Sequence, residues 1–373
     1  MIFNNFRTED LSRKRARETF FEFLDRSTLE TCNQKRALIS SLLADYPQID
    51  QLDIIGRLKS REEANFVSAL FEMVLFNVLL RLGMKVDVHP CLSNGYKPDF
   101  EVLSPNGHKF YIEAVLSSER SQRSVAGQRM IDTTLEVVNS HAHPLFRVAV
   151  TSTGEPSTQP NAKKLKENIH RWLDGLGPNT KSDDEKAISK FDINGWQLQC
   201  KAIPINSRKE NSSGILFISI GSDAHMVNRS TPIRDAIVSK ANKYGKLDSP
   251  LMIAVNSLCF FLDEDEELSA LYGSLQADFS LDNLDADFGI SRTRNGAWNG
   301  SKGPQYRNVC AVWIFRNLHL YSLCDAQNTL YLNPFSCHDI PESLLTLSHH
   351  RVEGDVGRKY DGLPIHSLLG LDD

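Results

Sequence analysis

A chain of 373 residues can form two domains, or one domain with large additions, and can bury a substantial core. With 41% hydrophobic and 24% charged residues its balance is that of an ordinary globular protein, and a formal net charge of −5 excludes a polycation. Any contact with nucleic acid must then come from a local basic patch. The seven cysteines are scattered without a CxxC pair, which argues against a disulfide framework or zinc module and for reduced thiols in a cytoplasmic protein. The N-terminus is charged and lacks an apolar h-region, so no signal peptide is expected. Glu72, Asn77 and Arg81 interrupt the longest apolar stretch, so no membrane span is expected either.

Residues 8–45 read as helical, with breaks at RST and NQK. A strongly apolar helix follows over residues 61–82, ended by Gly83 at its C′ position. Three strand patterns come next: MKVDVHP, PDFEVL and KFYIEAVL. The SPNG between the last two is a tight-turn signal. Residues 123–139 read as a helix and LFRVAVTS as a buried strand. A helix near 160–175 and the strands GWQLQCKAIPI and GILFISIGS follow. TPIRDAIVSKANKYG is a helix with Pro near its start and Gly at its end, and SPLMIAVNSL is a buried strand. Residues 263–288 carry acids and no Lys or Arg, and the last strands are VCAVWIFRNLHLYSL and NTLYLNPF. The expected organisation is a helical extension (1–60), a core (61–260) and an acidic, strand-rich C-terminal region (261–373). The fold class is α/β, with a mixed central sheet flanked by helices.

Chemistry concentrates in the hairpin. Alternate residues share a strand face, so Lys97, Asp99 and Glu101 line one strand, and Lys109, Tyr111, Glu113 and Val115 line the next. Antiparallel pairing across the Asn106-Gly107 turn brings Asp99 beside Glu113. Two such carboxylates stay ionised only with a cation between them, and oxygen-only ligands suit Mg²⁺ or Mn²⁺. Glu72 sits in an apolar helical stretch on one stripe with Asn65 and Ser68. A buried carboxylate there requires a metal, a water network or a basic partner.

Helix with Glu72, strand, Pro98-Asp99 strand, Glu113-Ala114-Val115 strand, helix and strand together resemble the core of the PD-(D/E)XK, or restriction-endonuclease-like, nuclease superfamily. The resemblance covers residues 61–152 and extends towards 256. It implies an αβββαβ core and metal-dependent hydrolysis of phosphodiester bonds, with Asp99, Glu113 and the Ala114 carbonyl as metal ligands. Glu72 would bind the metal directly or through water. Val115 departs from the pattern, standing where the family carries a catalytic lysine. Lys97, on the face of Asp99, is the first replacement considered, and Lys109 lies further along its strand. The helix after the third strand is a second source, through Gln128 and Arg129.

Residues 201–246 hold eight basic residues against three acids. Arg234, Lys240 and Lys243 are expected to track phosphates, Lys240 and Lys243 sharing a helix face. The acidic run is weighed as a cover for this segment and as a plain solvated surface. HAHP and HH lack the partners of a zinc site, and no glycine-rich nucleotide loop is present. The expected activity is a Mg²⁺-dependent endonuclease acting on DNA, with RNA as the other substrate, in bacterial defence or restriction. The alternative is a catalytically degenerate member of the same fold serving as a DNA-binding or assembly module, with a protein partner or a homo-oligomer left open.

Overall fold

The computed structural model of the chain describes residues 2–371 apart from 5–7, 13, 16–17, 118–124, 140–141, 178–179, 182–183, 206–215, 223–228, 246, 260–261, 279–288 and 355. In chain order it begins with helices α1 (Phe20–Arg26), α2 (Glu30–Ala44), α3 (Gln51–Leu58) and α4 (Glu63–Arg81). Strands β1 (Lys85–Val88), β2 (Phe100–Leu103) and β3 (Lys109–Ser117) follow. The next segment holds α5 (Val125–Asn139), β4 (Phe146–Thr153), α6 (Ala162–Asp174), β5 (Ile188–Ile193), β6 (Trp196–Pro204) and β7 (Phe217–Ser222). Then come α7 (Ser230–Lys243), β8 (Leu251–Ser257) and α8 (Glu264–Tyr272). Two short ribbons, β9 (Leu275–Asp278) with β10 (Gly289–Arg292) and β11 (Asn299–Gly300) with β12 (Gly303–Pro304), lead on. The chain closes with β13 (Val309–Arg316), β14 (Asn328–Leu332), β15 (His349–Glu353), β16 (Val356–Tyr360) and α9 (Ile365–Leu368).

These elements form two units, residues 1–119 with 228–373 and residues 120–227. Among the described residues, the first unit is built on a mixed eight-stranded sheet in the order β1-β2-β3-β8-β13-β14-β15-β16. Strands β3, β8 and β13 run parallel to one another, and β1, β2 and β3 form an antiparallel meander. The apolar run of β8 is explained by burial on both faces, as parallel strands require. Met252 and Ala254 face the cluster built by α1–α4, whereas Leu251, Ile253 and Val255 face the cluster built by α7 and α8. Helix α4 has the length and apolarity of a membrane span, yet it packs against α1, α2, α3, α9, β1 and β3 as the core helix of this unit.

The SPNG turn sets the hairpin that matters for chemistry. Gly107 takes φ +79°, and its N–H donates to the Ser104 carbonyl at 2.9 Å. The resulting register pairs Leu103 with Lys109 and Phe100 with Ile112, so the next position sets Asp99 opposite Glu113.

The second unit has its own sheet, β5-β6-β4-β7, and its own core. Helix α6 buries Leu165, Ile169 and Leu173, a stripe of four-residue spacing, beside Phe146, Val148, Trp196 and Leu198. The expected order of elements is present, helix, three strands, helix, strand, but α5 (Val125–Asn139) and β4 (Phe146–Thr153) belong to this unit, and β4 pairs in this sheet and not in that of β1–β3. Within the first unit, the helix and strand that follow β3 are α7 and β8. The sequence AKKLKENIHRWLD and its neighbours thus stand between two elements that pack together in the first unit.

Candidate functional site

Glu113 is completely buried in β3, on the sheet face that α7 covers. A lone carboxylate there would cost several kcal/mol, so it must be neutralised or protonated. Helix α7 supplies the neutralisation. Lys240 and Lys243, three residues apart and on one helix face, reach the same Glu113 oxygen, Oε1, at 2.5 and 2.8 Å. Tyr244, at the helix end, donates its hydroxyl to Oε2 and lies 3.3 Å from the Lys97 carbonyl. Burial and the adjoining carboxylate push the Tyr244 hydroxyl far above the usual phenol range, so it remains a donor. Val115 packs into the α7-side core.

Asp99 is partly buried just before β2, and its Oδ2 accepts the Ala114 N–H at 2.7 Å. Burial first, then the charges of Glu113 and Glu72, push its carboxyl up to about 7, against the opposing pull of the Ala114 N–H and of Lys240. The three sequence-chosen acids are therefore neighbours. They are not gathered into one group. Glu72 is buried, and Arg57 grips both its oxygens, Nη1 to Oε1 at 2.6 Å and Nη2 to Oε2 at 2.5 Å. Ser68 adds a contact of 3.4 Å, and Asp53 holds the Arg57 Nε at 2.9 Å. Glu72 has found a basic partner, one of the three answers expected for a buried carboxylate at that position. Among the described residues, no group of three or more His, Cys, Asp or Glu side chains is arranged to hold a metal ion.

Glu72, Arg57 and Asp99 line an open cleft of about 680 Å³, together with Asp50, Asp53, Asp87, His89 and Lys97. Lys97 is exposed there; its backbone carbonyl, not its ammonium, meets Tyr244. His89 sits in the left-handed region at φ +49°, and its N–H donates to the Asp99 carbonyl at 3.0 Å. Its Nδ1 lies 3.8 Å from an Asp50 oxygen.

The other expected site residues go elsewhere. Lys240 and Lys243, expected to track phosphates, are turned onto Glu113. Arg234 bonds Asp235 at 2.8 Å and the Asn295 carbonyl at 3.3 Å. Gln128 and Arg129 belong to α5 of the second unit, and their side chains lie outside the described residues. Lys109 joins Tyr111, Asp248 and Glu101. His143 faces Asp174 at 3.2 Å, while His349 stacks on Tyr360 and His350 tilts over Tyr331. Arg208, Lys209 and Lys246 of the basic segment lie outside the described residues, as does 279–288 of the acidic run. Glu264, Asp265, Glu266 and Glu267 of that run lie in α8, with Asp263 capping it and Asp278 ending β9; α8 packs on α7, where Glu266 pairs with Arg229 at 3.1 Å. Glu267, fully buried, takes two bonds of 2.7 Å from Arg316 and one of 2.6 Å from Tyr331.

Two contributors escaped the sequence reading. Arg57 lies on α3, whose signal was short: Ile54 and Leu58 four apart on the buried side, Asp53 and Arg57 four apart beside them. Tyr244 was legible only as the residue before a terminating glycine. Comparison with protein-family models, with curated proteins and with solved structures finds no match for this chain.

Proposed function

We propose that the chain is a metal-dependent nuclease that hydrolyses phosphodiester bonds in DNA, acting in the cytoplasm. The observation that carries this reading is a single one. Asp99, just before β2, falls opposite Glu113 of β3 in the hairpin register, and the ammonium of Lys240, on the helix that packs over β3, is bonded to Glu113. The order α4-β1-β2-β3-α7-β8 supports it further. With residues 120–227 set aside, that order resembles the αβββαβ pattern of the PD-(D/E)XK superfamily.

The residues present fit a hard divalent cation through Asp99, Glu113 and the Ala114 carbonyl, an oxygen-only donor set suited to Mg²⁺ or Mn²⁺. Burial first, and then the like charges of Glu113 and Glu72, raise the Asp99 carboxyl, and the like-charge part is strain of the kind a cation relieves. When bound, such a cation supplies an acidified water and takes up charge on the phosphate. The chain's own residues set the rest. Lys240, held by its bond to Glu113, takes the place of the lysine missing at Val115, orienting the attacking water and offsetting charge on the phosphate. The Tyr244 hydroxyl fixes the Glu113 carboxylate through its second oxygen. Arg57 neutralises Glu72, and Lys97 presents an ammonium on the cleft wall to the nucleic-acid backbone.

A second reading is favoured by one feature: two lysines already neutralise Glu113. On that reading the chain is a degenerate nuclease-fold protein that binds DNA or assembles with a partner. Plasmid nicking in Mg²⁺ or Mn²⁺ separates the two. The nuclease reading expects activity in the wild type that is lost in Asp99→Ala, Glu113→Ala and Lys240→Ala. No nicking by the wild type, with salt-sensitive DNA binding retained, selects the second reading.

A further inference from the structure

One carboxylate needs one positive charge, and Glu113 has two ammonium groups on the same oxygen. The two lysines are not equivalent. Lys240 is the more buried, its side chain 23% exposed, and its charge also acts on Asp99. Lys243 is 38% exposed, and its Nζ already stands 4.9 Å from the centre of the Tyr244 ring. An ammonium over an aromatic face keeps part of its electrostatic stabilisation without a carboxylate. Lys243 therefore has somewhere else to go, towards the ring and solvent, whereas Lys240 is the more buried of the two and bonds Glu113 at 2.5 Å.

We infer that Lys243 is a displaceable counter-ion: it holds Glu113 in the metal-free protein and leaves when a divalent cation binds Asp99 and Glu113, while Lys240 stays. The inference rests on the reading of Asp99 and Glu113 as cation ligands. The physical reason is charge. A doubly charged ion on a carboxylate that already carries two ammonium groups is repelled by both, and the repulsion falls most cheaply by releasing the lysine with the more exposed path. The exchange replaces one ion pair by another and breaks no covalent bond. The second lysine then serves the metal-free state, since without it the buried Glu113 would depend on Lys240 and Tyr244 alone.

The test uses the full chain, in chelator and in Mn²⁺. Exposed lysines are acylated with an amine-reactive ester and located by peptide mass spectrometry, and Mn²⁺ binding is measured by calorimetry on the wild type and on Lys243→Met. The inference expects Lys243 to be acylated several-fold faster in Mn²⁺ than in chelator while Lys240 stays protected. It also expects Lys243→Met to bind Mn²⁺ several-fold more tightly than the wild type. In Glu113→Gln, Lys243 should be labelled at the same rate in both conditions. Mn²⁺ binding by the wild type with unchanged Lys243 labelling overturns the displacement and leaves the metal reading standing. Absence of Mn²⁺ binding in both the wild type and Lys243→Met overturns the metal reading and the inference together.

Discussion

Asp99→Asn is the perturbation with the clearest arithmetic. The Asp99 carboxyl is raised from 3.8 to about 7 by burial and by the charges of Glu113 and Glu72. A carboxyl whose pKa is higher in the folded than in the unfolded protein binds its proton more tightly when folded. Its contribution to stability is complete below the unfolded value and is lost as the pH rises through about 7. At about 1.4 kcal/mol per pH unit, ionised Asp99 costs the metal-free fold on the order of 4 kcal/mol at pH 8 and less than about 1 kcal/mol at pH 4. Asparagine mimics the neutral form, and its Oδ1 can still accept the Ala114 N–H. Asp99→Asn should therefore stabilise the metal-free protein strongly at pH 8 and hardly at pH 4. Urea denaturation in chelator, pulse-labelled by hydrogen exchange and read at the β8 and β13 peptides, isolates the core of the first unit. A variant that unfolds at lower urea than the wild type at pH 8 would refute the charge-crowding argument. Saturating Mg²⁺ should narrow the gap by stabilising the wild type selectively.

The remaining expectations concern the other buried charges. Glu113→Ala leaves two ammonium groups and a phenol facing one another and should destabilise the fold by about 3–5 kcal/mol, measurable as a lowered urea midpoint. Arg57→Ala strands the buried Glu72 and should cost a similar ~3–5 kcal/mol, with Arg57→Lys recovering only part because lysine cannot grip both oxygens. Glu267→Ala should be equally costly, about 3–5 kcal/mol, since it leaves the Arg316 guanidinium and the Tyr331 hydroxyl without their carboxylate; differential scanning calorimetry would show it. Lys97→Ala, at an exposed position, should change stability by no more than about 0.5 kcal/mol and should reduce nicking less than Lys240→Ala does.

Part of the site could be read directly from the letters. The Asn106-Gly107 turn and the two-residue strand period fixed the register that sets Asp99 opposite Glu113, because both are local constraints of backbone geometry. Glu72 inside an apolar helix announced a need for a partner for the same kind of reason: a buried charge must be answered. The identity of the partner was not legible. Arg57 lies fifteen residues away on a separate short helix, and only the packing of α3 against α4 brings the guanidinium to the carboxylate.

Sheet membership was hidden for the same reason. Both LFRVAVTS and LMIAVNS are apolar strands, and each is preceded by a plausible helix. Burial of apolar surface has no direction, so such a pattern says that a strand is covered but not which sheet it joins. By itself the sequence determined α4, the strands β1–β3, α7 and β8, the hairpin register and the acids that face one another. Only the tertiary structure decided that α7, more than a hundred residues further along the chain, packs on β3. That choice carries Lys240, Lys243 and Tyr244 to Glu113. It follows from side-chain packing between segments far apart in the chain, which no local spacing encodes.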